Sequence, residues 1–351
     1  MGTTAAFSIY CGVALFPWIA AALLGQTAIL PQLLALTCFY EPATSLSGFH
    51  LNQDFLPMIA LPNTAPFRTL AVILTFSGLL AASTGCSKSV LPKPTPTQPP
   101  TPIDFALAVQ YAQRAGLVYE TDASIKQKSP AGTMVSFMVE TPRGVKAYIE
   151  TDEAKKIQWV AVRGTSTLEN VKLDVDYNKV VDGRLQIPLH KGFADTALQV
   201  YAFAKPLLRP GYEVRVTGHS LGGAAATIVV MLFKEDGVKL GQAMTFGQPK
   251  VTNRAGVEKY RGLPLLRFVN DKDPVPLLPP LDISTILDEG PYKHLGSEVV
   301  LKDGTNYAYF SDVQAERFSV ISFWNNLGRQ EVPDHSIASY LQSLQAKSSV
   351  R

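Results

Sequence analysis

The stretch Gly218-His-Ser-Leu-Gly222 decides the fold of this chain, because two glycines flank a serine at the spacing Gly-x-Ser-x-Gly. Residues 212–217 before it alternate polar and β-branched side chains, as a strand does. Residues 223–233 after it are apolar, rich in alanine and free of proline, which is typical of a buried helix. A strand, a tight turn and a helix form the context of a nucleophile elbow. Since the five-residue pattern also recurs by chance, these flanks are what predicts Ser220 as a nucleophile.

A serine nucleophile needs a general base, and the five histidines make the search short. In α/β-hydrolases the chain order is serine, acid, histidine. Three histidines are set aside because two precede the serine and the third adjoins it and should pack away from it: His50, His190 and His219. Of the remaining two, His294 lies where a turn runs into a strand and His335 where a loop becomes a helix. The loop position favours His335, with His294 as the alternative.

The acid that orients the base is expected between the serine and this histidine. Asp271 and Asp273 follow the apolar run 265–269, which reads as a strand. Catalytic groups gather at the carboxyl ends of such strands in open α/β sheets. Asp273 is favoured because Pro274 biases it towards an extended backbone. Asp271 remains the alternative, and either aspartate could simply cap a turn.

The order of elements predicts an α/β protein with a mostly parallel central sheet and helices on both faces. Residues 134–141 and 145–151 should form a hairpin about the Pro-Arg-Gly turn between them. The other elements follow the periodicity of the apolar residues. Further strands are predicted over 157–162, 212–217, 242–246 and 265–269, and helices over 104–119, 193–208, 223–233 and 336–345.

Six motifs in order resemble those of one known family, the class 3 lipases, the group of the filamentous-fungal triacylglycerol lipases. The resemblance spans residues 104–345. The motifs are Val162-Arg-Gly-Thr165, His190-Lys-Gly-Phe193, Thr217-Gly-His-Ser-Leu-Gly-Gly223, Thr245-Phe-Gly-Gln-Pro-Lys-Val251, Asp273-Pro-Val-Pro276 and Tyr292-x-His-x-Gly-x-Glu298. The resemblance implies an α/β-hydrolase fold.

The resemblance also implies a role for each matching residue. Ser220 would be the nucleophile, Asp273 the orienting acid and His335 the general base. Thr165 and Leu221 would donate backbone N–H groups to the oxyanion, and Thr165 would add its hydroxyl. The implied reaction is triacylglycerol hydrolysis through an acyl-enzyme, on an ester lipid at a membrane or lipid interface. It needs no cofactor and no metal, and we expect none.

Other functions are compatible with the same residues. A short-chain carboxylesterase, a phospholipase A1 and a feruloyl esterase would use the same three catalytic groups. A non-catalytic envelope lipoprotein that keeps the fold as a binding module is a more remote alternative. The net charge of +3 and the absence of a basic stripe argue against nucleic-acid binding, and no obligate protein partner is indicated. All three cysteines precede the catalytic region, so its core must suffice without disulfides.

The segment before the catalytic region carries export signals. Arg68 precedes the apolar run 70–80, and small residues lead to Cys86, as in a secretory signal. The final cysteine resembles the lipobox of bacterial lipoproteins, in which cleavage precedes the cysteine and its thiol carries a diacylglycerol. We therefore expect an exported protein that is lipid-anchored in the bacterial outer membrane. A secreted protein, or one anchored by a transmembrane segment within residues 5–40, is the alternative.

The expected organisation has four parts. Met58 lies at a normal signal-peptide distance before the cysteine, which suggests that translation starts there rather than at Met1. A run of prolines and threonines after the cysteine should act as a semi-rigid spacer. The parts are an apolar extension of uncertain role (1–57), a lipoprotein-type signal peptide (58–85), a Pro/Thr-rich tether (86–102) and the class 3 lipase-like catalytic domain (103–351).

Overall fold

A computed structural model of the chain describes residues 94–164, 178–279, 290–312, 314–315 and 332–349. Ten strands lie in these ranges. Numbered along the chain, they are β1 (Met134–Phe137), β2 (Ala147–Asp152), β3 (Ile157–Val162), β4 (Lys179–Val181), β5 (Pro188–His190), β6 (Glu213–His219), β7 (Ala243–Phe246), β8 (Leu265–Asn270), β9 (Ser297–Leu301) and β10 (Tyr307–Phe310).

Eight of these strands form one sheet in the spatial order β1-β2-β3-β6-β7-β8-β9-β10. The five strands from β3 to β9 in this order run parallel. The two edges are antiparallel: β1 and β2 on one side, β10 on the other. Strands β4 and β5 form a separate antiparallel ribbon. The predicted α/β class with a mostly parallel sheet is confirmed.

Six α-helices lie in the described ranges. They are α1 (Phe105–Leu117), α2 (Asp122–Lys128), α3 (Lys191–Ala204), α4 (Leu221–Glu235), α5 (Arg254–Lys259) and α6 (Ile337–Ser348). None of the helices in this part of the chain is long and apolar enough to cross a bilayer.

The core lies on both faces of the sheet, because successive residues of a strand point to opposite sides. In β3, Val160 packs into the cluster that includes helices α3 and α4. Trp159, one residue earlier, packs into the cluster that includes α1 and α6. Helix α4 is buried along nearly its whole length, which explains its uninterrupted apolar sequence. The predicted helices on both faces are therefore confirmed.

Local chemistry sets the ends of the helices. Helix α1 begins after Asp104, whose carboxylate accepts the N–H of Leu107 at 2.8 Å, a side-chain N-cap. The predicted helix 193–208 begins two residues earlier, at Lys191, and its α-helical part ends at Ala204. The last turn tightens into a 3-10 helix at Pro206, because proline lacks the N–H that an α-helix needs.

The Pro/Thr-rich tether contacts the edge of the sheet. The N–H of Thr97 donates to the carbonyl of Tyr309 at 2.9 Å, which makes an isolated antiparallel bridge to β10. The hydroxyl of Thr97 donates to Gln314 at 3.1 Å. The tether was predicted as a spacer throughout residues 86–102, but at this position it pairs with the domain. Part of the otherwise open edge of β10 is covered in this way.

Candidate active site

Ser220 occupies a strained turn between β6 and α4. Its backbone has φ 57° and ψ −132°, a conformation that costs energy for a residue with a side chain. The glycines on either side permit the turn, because a Cβ on Gly218 would lie 2.3 Å from the carbonyl oxygen of Gly222. The N–H of Ser220 donates to the carbonyl of Phe246, at the end of β7, at 2.9 Å. This is the geometry expected of a nucleophile elbow.

Two elements meet where an oxyanion would form. Leu221 is the first residue of α4, so its N–H has no acceptor within the helix. Gly164, two residues after β3, lies against the same turn, because a Cβ on it would be 3.3 Å from the nitrogen of Gly222. Thr165, the other oxyanion residue expected from the sequence, lies outside the described residues. The residue before it nevertheless packs against the start of the elbow helix.

Asp273 and His335 are brought together from positions 62 residues apart. Asp273 follows β8, and His335 ends the 3-10 turn Val332–His335 before α6. The Nδ1–H of His335 donates to Oδ2 of Asp273 at 2.8 Å, and the N–H of Val275 donates to Oδ1 at 2.9 Å. Both side chains are buried. The aspartate therefore fixes which ring nitrogen of the histidine carries the proton.

A residue that the sequence reasoning missed completes the carboxylate's surroundings. The hydroxyl of Tyr340 in α6 donates to Oδ2 of Asp273 at 2.6 Å and accepts the N–H of Asn270 at 3.1 Å. Burial raises the pKa of Tyr340 well above its usual value, and the charge of Asp273 raises it further. The tyrosine thus stays protonated and donates. Its only signal in the sequence is a place on the buried face of a helix, where a core tyrosine would look the same.

The Asp273–His335 pair lies next to the elbow. A Cβ on Gly247 would stand 2.8 Å from Oδ2 of Asp273 and 2.9 Å from Nδ1 of His335. Gly247 follows Phe246, the residue whose carbonyl binds Ser220. The Oγ of Ser220 and the Nε2 of His335 are buried and have no hydrogen-bond partner among the described residues. These two atoms are the ones that a proton transfer from serine to histidine would use.

The alternative candidates lie elsewhere. The Nε2 of His294 is 2.6 Å from the carbonyl oxygen of Pro276, and burial lowers the pKa of His294 well below 6.5, aided by the charge of Arg267. Asp271 is exposed, unlike Asp273 two residues later. His190 stacks on Phe193 with ring centroids 3.9 Å apart. His50 and Cys86 lie outside the described residues. No group of three or more metal-binding side chains occurs within the described ranges.

A strained serine between a strand and a helix, with a buried Asp–His pair supplied by later segments, defines a protein of the α/β-hydrolase class. Residues 159–283 match the sequence model of the class 3 lipases. This match agrees with the resemblance to the class 3 lipases that the motifs predicted.

Named relatives fit this assignment. The chain is 30% identical over 187 residues to secreted mono- and diacylglycerol lipase 1 of Fusarium solani, covering 49% of this chain and 52% of that protein. It is 28% identical to a lipase of Rhizopus niveus, covering 50% and 47%. The chain spans about half the length of the curated relatives it matches. The solved structure of the Rhizomucor miehei triacylglyceride lipase matches this chain with a TM-score of 0.54 and 22% identity. The match covers 67% of this chain and 94% of the Rhizomucor chain, and the two share a fold.

Proposed function

We propose that this chain is a serine carboxylic-ester hydrolase that acts as a triacylglycerol lipase. The observation that carries the proposal is the hydrogen-bonded Asp273–His335 pair beside the strained elbow serine, Ser220. Relatives whose names include lipase support the ester-lipid substrate. Burial of the Asp–His pair supports it as well, because the buried carboxylate orients the imidazole in a water-poor environment.

The proposed reaction runs through an acyl-enzyme. His335 Nε2 accepts the proton of Ser220 Oγ as the oxygen attacks the ester carbonyl. The N–H groups of Leu221 and Thr165, and the Thr165 hydroxyl, stabilise the tetrahedral oxyanion. When the intermediate collapses, the alcohol leaves with the proton from His335. Asp273 stabilises the imidazolium that exists between these steps. A water molecule then attacks the acyl-enzyme by the same proton path and releases the fatty acid.

The first test measures hydrolysis of p-nitrophenyl esters from acetate to palmitate, of emulsified triacylglycerol, of a phospholipid and of a feruloyl ester. Turnover of long esters and triacylglycerol supports a lipase. Activity confined to short esters would indicate a carboxylesterase. Release of an acyl chain from the phospholipid would indicate a phospholipase A1, and release of ferulate would indicate a feruloyl esterase. No turnover of any ester would overturn the proposal and leave a binding module.

The residue roles are tested by matched histidine variants. Ser220→Ala and His335→Ala should each lower kcat by on the order of a million-fold, because members of a catalytic triad act as a unit. The double variant should be no worse than either single one. His294→Ala is the control, since its ring contacts the Pro276 carbonyl rather than the serine. If His294→Ala abolished turnover and His335→Ala did not, the assignment of the base would be wrong.

We further propose that the enzyme is exported and attached to the outer membrane through a lipid on Cys86. The small-residue run before Cys86 and the spacer after it support this attachment. Several acyl chains on one cysteine exceed the single chain that binds a membrane only reversibly. Cys86→Ala should therefore leave an unprocessed precursor or release the enzyme from the membrane fraction. Normal processing with full membrane retention would instead place the anchor within residues 5–40.

A further inference from the structure

His219, the residue before the nucleophile, is buried at the end of β6 with both ring nitrogens engaged. Its Nε2 lies 2.5 Å from the carbonyl oxygen of His335. Its Nδ1 lies 3.2 Å from the hydroxyl of Tyr119, just beyond the end of α1. The rings of His219 and His335 are 4.6 Å apart. The sequence indicated a packing role for His219, but these contacts reach two separate segments, one with His335 and one with Tyr119.

Chemistry fixes the direction of this chain of hydrogen bonds. A carbonyl oxygen can only accept, so Nε2 of His219 carries the proton and donates to His335. Nδ1 must then accept, and the hydroxyl of Tyr119 donates to it. The oxygen of Tyr119 in turn accepts the N–H of Gly164 at 3.1 Å. The N–H of Gly164 therefore donates to the Tyr119 oxygen, and the Tyr119 hydroxyl donates to Nδ1 of His219. The Nε2–H of His219 then donates to the backbone carbonyl of His335.

The protonation states agree with that direction. Burial, together with the neighbouring His335, lowers the pKa of His219 from 6.5 to about 3, so the ring is neutral at pH 7. Burial raises the pKa of Tyr119 to about 12, so its hydroxyl keeps the proton that it donates. With both nitrogens of a neutral ring occupied, His219 has no site left to accept a proton from Ser220.

We propose that His219 and Tyr119 are positioning residues that hold the base and the oxyanion segment in fixed relation to the nucleophile. Gly164 precedes Thr165, His219 precedes Ser220, and His335 is the base itself. The proposal rests on the proposed ester hydrolysis. It predicts that removing these hydrogen bonds displaces the reacting groups but leaves the contacts with the substrate unchanged. As a result, kcat falls while KM is unchanged.

Three variants separate positioning from packing. Tyr119→Phe keeps the ring and removes the hydroxyl that links Gly164 to His219. His219→Phe fills the same space without either hydrogen bond. His219→Gln is the matched control, because its amide N–H can still reach the His335 carbonyl. We expect His219→Phe and Tyr119→Phe to lower kcat by about 10- to 100-fold, the scale for a small misplacement of reacting groups. His219→Gln should recover about tenfold relative to His219→Phe, the worth of one hydrogen bond.

The measurements are kcat and KM with p-nitrophenyl butyrate, and the stoichiometric burst of nitrophenol from a p-nitrophenyl phosphonate. Nitrogen NMR of labelled histidine provides a readout independent of turnover, because it should report a neutral Nε2–H tautomer for His219. If the His219 side chain only filled space in the core, His219→Phe would be at least as active as His219→Gln. That result would overturn the proposal. So would an unchanged kcat in Tyr119→Phe, or an Nδ1–H tautomer of His219. Absence of the burst in the wild-type enzyme would instead overturn the ester-hydrolase proposal, and this one with it.

Discussion

Gly222→Ala should damage the enzyme, because the added methyl group would meet only backbone atoms of a neighbouring segment. A Cβ at this position would lie 2.3 Å from the oxygen of Val162, 2.7 Å from the carbonyl carbon of Arg163 and 2.7 Å from the nitrogen of Gly164. The closest of these is about 1 Å nearer than an ordinary van der Waals contact. No side chain can rotate away, so the end of β3 and the start of α4 must separate.

That separation has two measurable consequences. Overpacking of a tight core costs about 1–3 kcal/mol, which lowers the melting temperature by about 2–12 °C for a domain of this size. The displaced Gly164 directly precedes Thr165, so the proposed oxyanion donors should move relative to Ser220. A misplacement of about 1 Å lowers kcat by roughly 100-fold.

The assay combines thermal unfolding, followed by circular dichroism, with kcat on p-nitrophenyl butyrate. Gly183→Ala is the control, because no atom lies within 4 Å of its Cβ position and its φ is outside the left-handed region. It should behave as the wild type does. Wild-type melting and wild-type kcat in Gly222→Ala would refute the close approach of β3 and α4. A lower melting temperature with unchanged kcat would refute the link to the oxyanion segment.

Three further outcomes are expected. Tyr340→Phe should lower kcat by roughly tenfold or more, since the Asp273 carboxylate loses a charge-assisted hydrogen bond; an unchanged kcat would contradict this role. Arg267→Ala should destabilise the domain in urea by about 3–5 kcal/mol, because it removes the buried ion pair with Glu298, 2.8 Å away; replacing both residues by apolar ones should cost less. Because the pKa of His219 falls from 6.5 to about 3 on folding, only the unfolded chain takes up this proton below pH 6.5. Stability should therefore drop by about 2 kcal/mol between pH 7 and about pH 5, and less in His219→Gln; equal urea midpoints would speak against it.

The elbow and its flanking elements could be predicted because their signals are local. Glycine spacing, β-branched alternation and an alanine-rich run all lie within about twenty residues around Ser220. The central strand 157–162 was predicted with its observed bounds for the same reason. Strand β10 was not predicted.

Contacts between distant segments could not be read from the sequence in the same way. Tyr119 and His219 are 100 residues apart, and Tyr340 lies 67 residues after Asp273. Each of these side chains also has an ordinary explanation in its own segment, as a core aromatic or a buried polar residue. Only the three-dimensional structure shows that these side chains contact one another. The lipobox-like Cys86 and the oxyanion residue Thr165 stay predictions from the sequence.

The pairing of Thr97 with β10 would limit the distance between the catalytic domain and a lipid anchor on Cys86. With a lipid on Cys86, the chain from the membrane surface to the first fixed point of the domain is eleven residues long. Such a stretch spans about 34 Å as polyproline II and at most about 40 Å when fully extended. A domain of about 250 residues is wider than that. With such an anchor, the point where the chain joins the catalytic domain would stay within about 40 Å of the bilayer that carries it.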